Sequence, residues 1–163
     1  MSDISPGTIT TAAAKLPTRV RATWVGEHRF DTGRPNGPVA RMDGSGKTGQ
    51  SPPDALLNAL ATCSAVDVVD ILAKRRTPAD RLVVDVEARR RDEAPRRFEH
   101  ITLTFRIDGA GIERLHAERA IQLSFEKYCS VAASLAPDIV VETAVVLNGE
   151  DGPLVRQRIF TPS

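Results

Sequence analysis

The chain has few of the residues that usually declare a function. In 163 residues it has two cysteines, one tryptophan and one tyrosine, and aromatic residues make up 4% of it. His28, His100 and His116 are scattered, and none stands at ligand spacing from a cysteine or another histidine, which argues against a zinc site or any other metal. Neither sign of charge is in surplus. Lysine and arginine number 22, aspartate and glutamate 21, and the formal net charge is +1, so no global field points to nucleic acid or an anionic membrane. No apolar run reads as a bilayer span, and Met1-Ser-Asp-Ile-Ser-Pro-Gly lacks the basic n-region and apolar stretch of a secretory signal. The expectation is a cytoplasmic protein with neither membrane nor nucleic-acid partner. Standing disulfides are rare in that compartment, so its two cysteines are either redox-active or simply reduced.

A mass of 17.7 kDa with 41% hydrophobic and 26% charged residues suits one globular domain with a single core. The pattern predicts an N-terminal arm over residues 1–17, one domain over 18–148 and a tail over 149–163. Val20, Ala22 and Trp24 alternate with Arg19, Arg21 and Thr23, the pattern of a half-buried strand. A second strand near Phe30 and a third over Pro38 to Met42 complete a meander. The strongest helix signal opens at Ser51, a good N-cap followed by two prolines and Asp54. Its body, from Leu56 to Leu72, is apolar on nearly all sides, so the helix reads as buried. Lys74, Arg75 and Arg76 suit its negative end, and Pro78 stops it. A long hairpin follows, with Val84, Val86 and Ala88 on one arm and Ile101, Leu103, Phe105 and Ile107 on the other. Helices over Ile112 to Lys127 and from Cys129 to before Pro137, then a strand over Ile139 to Leu147, end the pattern. Strands and helices are segregated, which indicates an α+β fold with a mostly antiparallel sheet. A helix apolar all round in so short a chain is best buried against its copy in a dimer.

Four features are candidates for chemistry. Asp43-Gly-Ser-Gly-Lys-Thr-Gly resembles the end of a phosphate-binding loop. The full motif needs another glycine where Arg41 stands, so a flexible loop is the better account. The arginine-rich run from Arg89 to Arg97 is interspersed with Asp92 and Glu93 and has no aromatic platform, which reads as a solvated hairpin tip. Cys63, on the apolar helix, reads by itself more often as a small buried hydrophobe than as a nucleophile, and Asp67 one turn along the same face would raise its pKa. Cys129, at the start of a helix, is placed where thiol pKa falls. The residues alone leave both readings of the pair standing.

The segment Ser51-Pro-Pro-Asp-Ala-Leu-Leu-Asn-Ala-Leu-Ala-Thr-Cys63-Ser-Ala-Val-Asp resembles the central-helix cysteine motif of the OsmC/Ohr family, the osmotically inducible and organic-hydroperoxide-resistance proteins. The runs Glu93-Ala-Pro-Arg-Arg-Phe-Glu-His and Glu126-Lys-Tyr-Cys129-Ser-Val are similar to its YhfA-like branch, and the likeness extends collinearly from about Val20 to Leu147. It implies an intertwined homodimer in which a mostly antiparallel sheet wraps a long buried central helix. By resemblance Cys63 is the peroxidatic thiol and Cys129 the resolving one, acting on organic hydroperoxides with an external dithiol as reductant and no cofactor. Hydroperoxidases of the family also carry a glutamate ten residues before the first cysteine, where this chain has Pro53, with Asp54 next to it. They carry an arginine in the N-terminal hairpin as well, for which Arg29 and Arg34 are candidates by location. The alternative within the same fold is a non-catalytic dimer that binds a small apolar ligand or senses redox state.

Overall fold

The computed structural model describes residues 16–159, so nearly all of the arm predicted over 1–17 lies outside the described residues. Where the sequence predicts a single domain over 18–148, the chain divides into two compact units, Met1–Ser51 and Pro52–Ser163.

The first unit is a three-stranded antiparallel meander of β1 (Arg21–Trp24), β2 (Arg29–Gly33) and β3 (Val39–Asp43), with β2 in the middle. Gly26 and Glu27, both at positive φ, make the β1–β2 turn, and the Trp24 indole N–H donates to the Glu27 carbonyl at 2.9 Å. Register sets Trp24 opposite Phe30 and Phe30 opposite Met42, so the three share one face. Among the described residues of the unit nothing covers that face, and Trp24 is 64% exposed. The alternation in β1 is therefore real, but all four of its residues are exposed and none is half-buried.

After β3 the glycine-rich loop is tightly organised, not flexible. Asp43, 2% exposed, accepts hydrogen bonds from the backbone N–H and the hydroxyl of both Ser45 and Thr48, at 2.6 to 2.9 Å. These four donors hold its carboxyl well below the usual carboxylate range.

The second unit is built on α1 (Pro52–Lys74), whose boundaries match the sequence signals. Its C-terminus is a Schellman turn. Arg76 takes positive φ, and the N–H groups of Arg76 and Thr77 donate to the Ala73 and Leu72 carbonyls. By length and composition α1 is long and apolar enough to cross a membrane, contrary to the sequence expectation. Here it is a core helix: Leu60, Val68 and Leu72 are fully buried, each worth about 1.5–3 kcal/mol of hydrophobic stabilisation. Within one chain it buries only this side, and Leu56, Val66 and Val69 are exposed.

The sheet beneath it runs β4 (Arg81–Arg90), β5 (Phe98–Asp108), β6 (Val140–Leu147). Ile101, Leu103, Phe105 and Ile107 of β5 and Val141, Thr143, Val145 and Leu147 of β6 form one buried face, as period-two alternation requires. The arginines at the hairpin tip are used locally. Arg90 and Arg91 donate to carbonyls of residues 94–96, and Arg97 pairs with Asp138.

Strands β5 and β6 are parallel, so the chain must cross over between them. The crossover is α2 (Arg114–Leu123), a single π-helical turn (Ser124–Tyr128) and the one-turn α3 (Ser130–Ala133). The helix predicted over Ile112 to Lys127 thus starts later and widens at Ser124. Its Leu115 is exposed, and Ala117, Ala120 and Ile121 make the buried side. Beyond β6, a turn at Asn148 and Gly149, both at positive φ, returns the chain as β7 (Glu150–Asp151) and β8 (Val155–Arg156), which pair with β6. The predicted tail over 149–163 is therefore part of the sheet as far as Arg156, because β6 offers a free edge whose backbone groups it satisfies.

Candidate functional site

Two elements of the second unit bring the cysteines together. Cys63 lies midway along α1, half-buried, with Leu60 and Ser64 on the core side of the same turn. Cys129 ends the π turn and caps α3, its sulfur accepting the Ala132 N–H at 3.3 Å. Both thiols are free, and that of Cys129 is 3% exposed. Burial pushes the Cys129 thiol up to about 12, the Ala132 N–H opposes this, and the neighbouring Cys63 thiol raises it further. The sequence expectation of a helix-lowered pKa at Cys129 is thus reversed. A one-turn helix offers little dipole, and desolvation outweighs it.

The remaining predicted site residues divide. Asp67 is close to the pair but acts on another group: its carboxylate accepts the Ser124 hydroxyl at 2.7 Å. Asp54 sits in the first turn of α1, about 13 Å along the axis from Cys63 by helical rise, too far to touch that thiol in its own chain. Arg29 and Arg34 belong to the first unit. Arg29 pairs with Glu27 at 3.3 Å, and its Nε is buried without a hydrogen-bond partner.

Sequence reasoning missed Ser124. It continues the buried line Ala117, Ala120, Ile121 along α2, and a serine on an apolar helical stripe was the available signal. Asp67, Asp70, Ile71, Lys74, Arg75 and Tyr128 line a cleft of about 320 Å³ that neither cysteine enters. With four charged residues in its wall, it is a poor receptor for a purely apolar ligand. Among the described residues no cluster of histidine, cysteine, aspartate and glutamate is arranged to hold a metal ion.

The α+β fold that carries these two cysteines has counterparts in known proteins. The model of the family described as OsmC-like protein matches residues 44–144. The chain belongs to the OsmC-like family. Protein YhfA of Escherichia coli K12 is 42% identical over 118 residues, covering 72% of this OsmC-like chain and 88% of YhfA. A solved structure described as a hypothetical protein from Aquifex aeolicus VF5 superposes with a TM-score of 0.74 at 26% identity, covering 82% of this chain and 98% of that one. The organic hydroperoxide resistance protein OhrB of Bacillus subtilis shares the fold, with a TM-score of 0.53 at 16% identity, over 82% of this chain and 98% of OhrB. OsmC-like membership agrees with the sequence resemblance.

Proposed function

We propose that this chain is a dimeric thiol peroxidase that reduces organic hydroperoxides in a reducing compartment, the cytoplasm, with no metal or cofactor. The observation that carries the reading is the meeting of two free thiols of unequal exposure, one half-buried on α1 and one buried at the end of the π turn. The Cys63 thiolate attacks the peroxide O–O bond. One oxygen stays on sulfur as a sulfenic acid, and the other leaves as an alcohol on taking a proton. The Cys129 thiol then condenses with the sulfenic acid, forming the disulfide and releasing water. An external dithiol reduces that disulfide and is itself oxidised. A resolving thiol that stays protonated until the sulfenic acid forms does not compete for peroxide, which fits the raised pKa of Cys129.

Support for the dimer comes from two uncovered apolar faces. Ala59, Thr62, Val66, Val69 and Ala73 follow three-four spacing along the exposed side of α1, the seam of a helix that packs on a partner helix. Val66 is 60% exposed there, and Trp24 and Phe30 on one face of the first unit are 64% and 39% exposed.

Purified protein should consume cumene hydroperoxide in the presence of a dithiol. Cys63→Ser should abolish turnover, and Cys129→Ser should accumulate a trappable sulfenic acid at Cys63. Equal turnover by Cys63→Ser and the unaltered protein would end the proposal. Pro53 favours a second reading, a redox sensor without turnover, because it stands where the family's hydroperoxidases carry a glutamate. In that case the disulfide forms under oxidant but peroxide is consumed only stoichiometrically.

A further inference from the structure

The Asp67–Ser124 contact joins two groups 57 residues apart, and the Ser124 side chain is fully buried. Asp67 follows Cys63 by four residues on α1 and so lies on the same helical face. Ser124 opens the π turn, and its carbonyl accepts the Cys129 N–H at 2.8 Å, the wide bond that closes the turn. An unbroken path therefore runs from α1 through the Asp67 carboxylate, the Ser124 hydroxyl and the Ser124 carbonyl to the backbone of Cys129.

We propose that Asp67 and Ser124 are positioning residues that hold the π turn in register, so that Cys129 faces Cys63 for disulfide formation. A π turn holds one more residue than an α turn. Its relaxation to α-helix would rotate everything downstream by about 100° and turn the Cys129 side chain away from α1. The hydrogen bond that the first residue of the turn donates to Asp67 of α1 pins it against that relaxation. The outer side of the turn is occupied by its own pairs, Gln122 with Glu126 at 2.7 Å and Arg119 with Glu126 at 3.5 Å, neither of which reaches α1. Ser124 and Asp67 touch no reacting atom in this arrangement; they act through the placement of Cys129.

The inference rests on the redox pair of the proposed function, and its test needs no peroxide. In a glutathione redox buffer the protein dithiol passes two electrons to oxidised glutathione, yielding the protein disulfide and two reduced glutathiones. The fraction oxidised at equilibrium measures how well the two sulfurs are placed. Asp67→Ala and Ser124→Ala should each shift that equilibrium at least tenfold toward the dithiol. Asp67→Asn, which keeps an acceptor oxygen for the serine hydroxyl, should stay within about twofold of the unaltered protein. The double variant should be no worse than the worse single one, since both remove the same link. Thermal unfolding of each variant separates loss of fold from loss of placement.

The proposal is overturned if both alanine variants keep the unaltered equilibrium, or if Asp67→Asn fails as badly as Asp67→Ala, which would assign the effect to charge. Unaltered protein that forms the disulfide but turns over no hydroperoxide removes the peroxidase reading and leaves the positioning result intact. Turnover with an unchanged equilibrium in the alanine variants removes the positioning reading alone.

Discussion

The two units of this chain handle their apolar residues in opposite ways. In Pro52–Ser163 the buried face of β5 and β6 is closed by α1 and α2, and Phe105 has no exposed surface. In the N-terminal meander, Trp24, Phe30 and Met42 line up on one side of a sheet with nothing over them among the described residues of the unit. Identical alternation thus yields a core in one place and an open face in the other, because burial depends on a second layer that sequence period does not reveal.

The contrast is broken most directly by large-to-small changes on either side of it. Phe105→Ala should cost about 3–5 kcal/mol in denaturant unfolding, since it opens a cavity in a closed core. Trp24→Ala should cost the isolated chain about 0.5 kcal/mol or less and act instead on self-association, read by sedimentation. An equal loss in both, with association unchanged, would mean that the meander's face is covered by its own chain.

The units should also respond to opposite ends of the pH scale. The Cys129 thiol keeps its proton up to about 12 when folded, against an ordinary 9.0. The folded state binds the extra proton between those values, so the stability it contributes is complete below pH 9 and falls as pH rises toward 12. Asp43 has the opposite sign. Its carboxyl is held below the ordinary 3.8, so its contribution is present above that pH and lost only in stronger acid. Denaturation curves of Cys129→Ser should lose the alkaline limb, and those of Asp43→Asn should lose part of the acid limb. An unchanged alkaline limb in Cys129→Ser would refute the first assignment.

The smallest effect expected is a gain. Arg76 adopts a left-handed conformation at the end of α1, which glycine enters without steric cost. Arg76→Gly should raise stability by up to about 1 kcal/mol in the second unit, read as a higher denaturant midpoint.

Much of the second unit is legible in the sequence, and particular residues say why. Ser51, Pro52 and Lys74 bracket α1 because capping chemistry is local, and β5 and β6 alternate over enough residues to fix their buried face. The π turn is not legible. Ser-Phe-Glu-Lys-Tyr continues an ordinary helical pattern, and its widening is tied to a carboxylate distant in sequence. β7 and β8 are two residues each, too short for a period to register, and are defined only by the edge they pair with. At the site, position alone suggested an activated Cys129, whereas the packing around it sets the thiol the other way. Such desolvation by residues remote in the chain is invisible to a motif.

The loop after β3 has one more consequence. Its glycines and its lysine look like a cradle for phosphate, but the N–H and hydroxyl donors of Ser45 and Thr48 are already taken by Asp43. The loop is its own ligand: a tethered carboxylate fills the role of the anion. A free phosphate would first have to evict a negative charge linked to the same chain, a competitor at high effective concentration that never diffuses away.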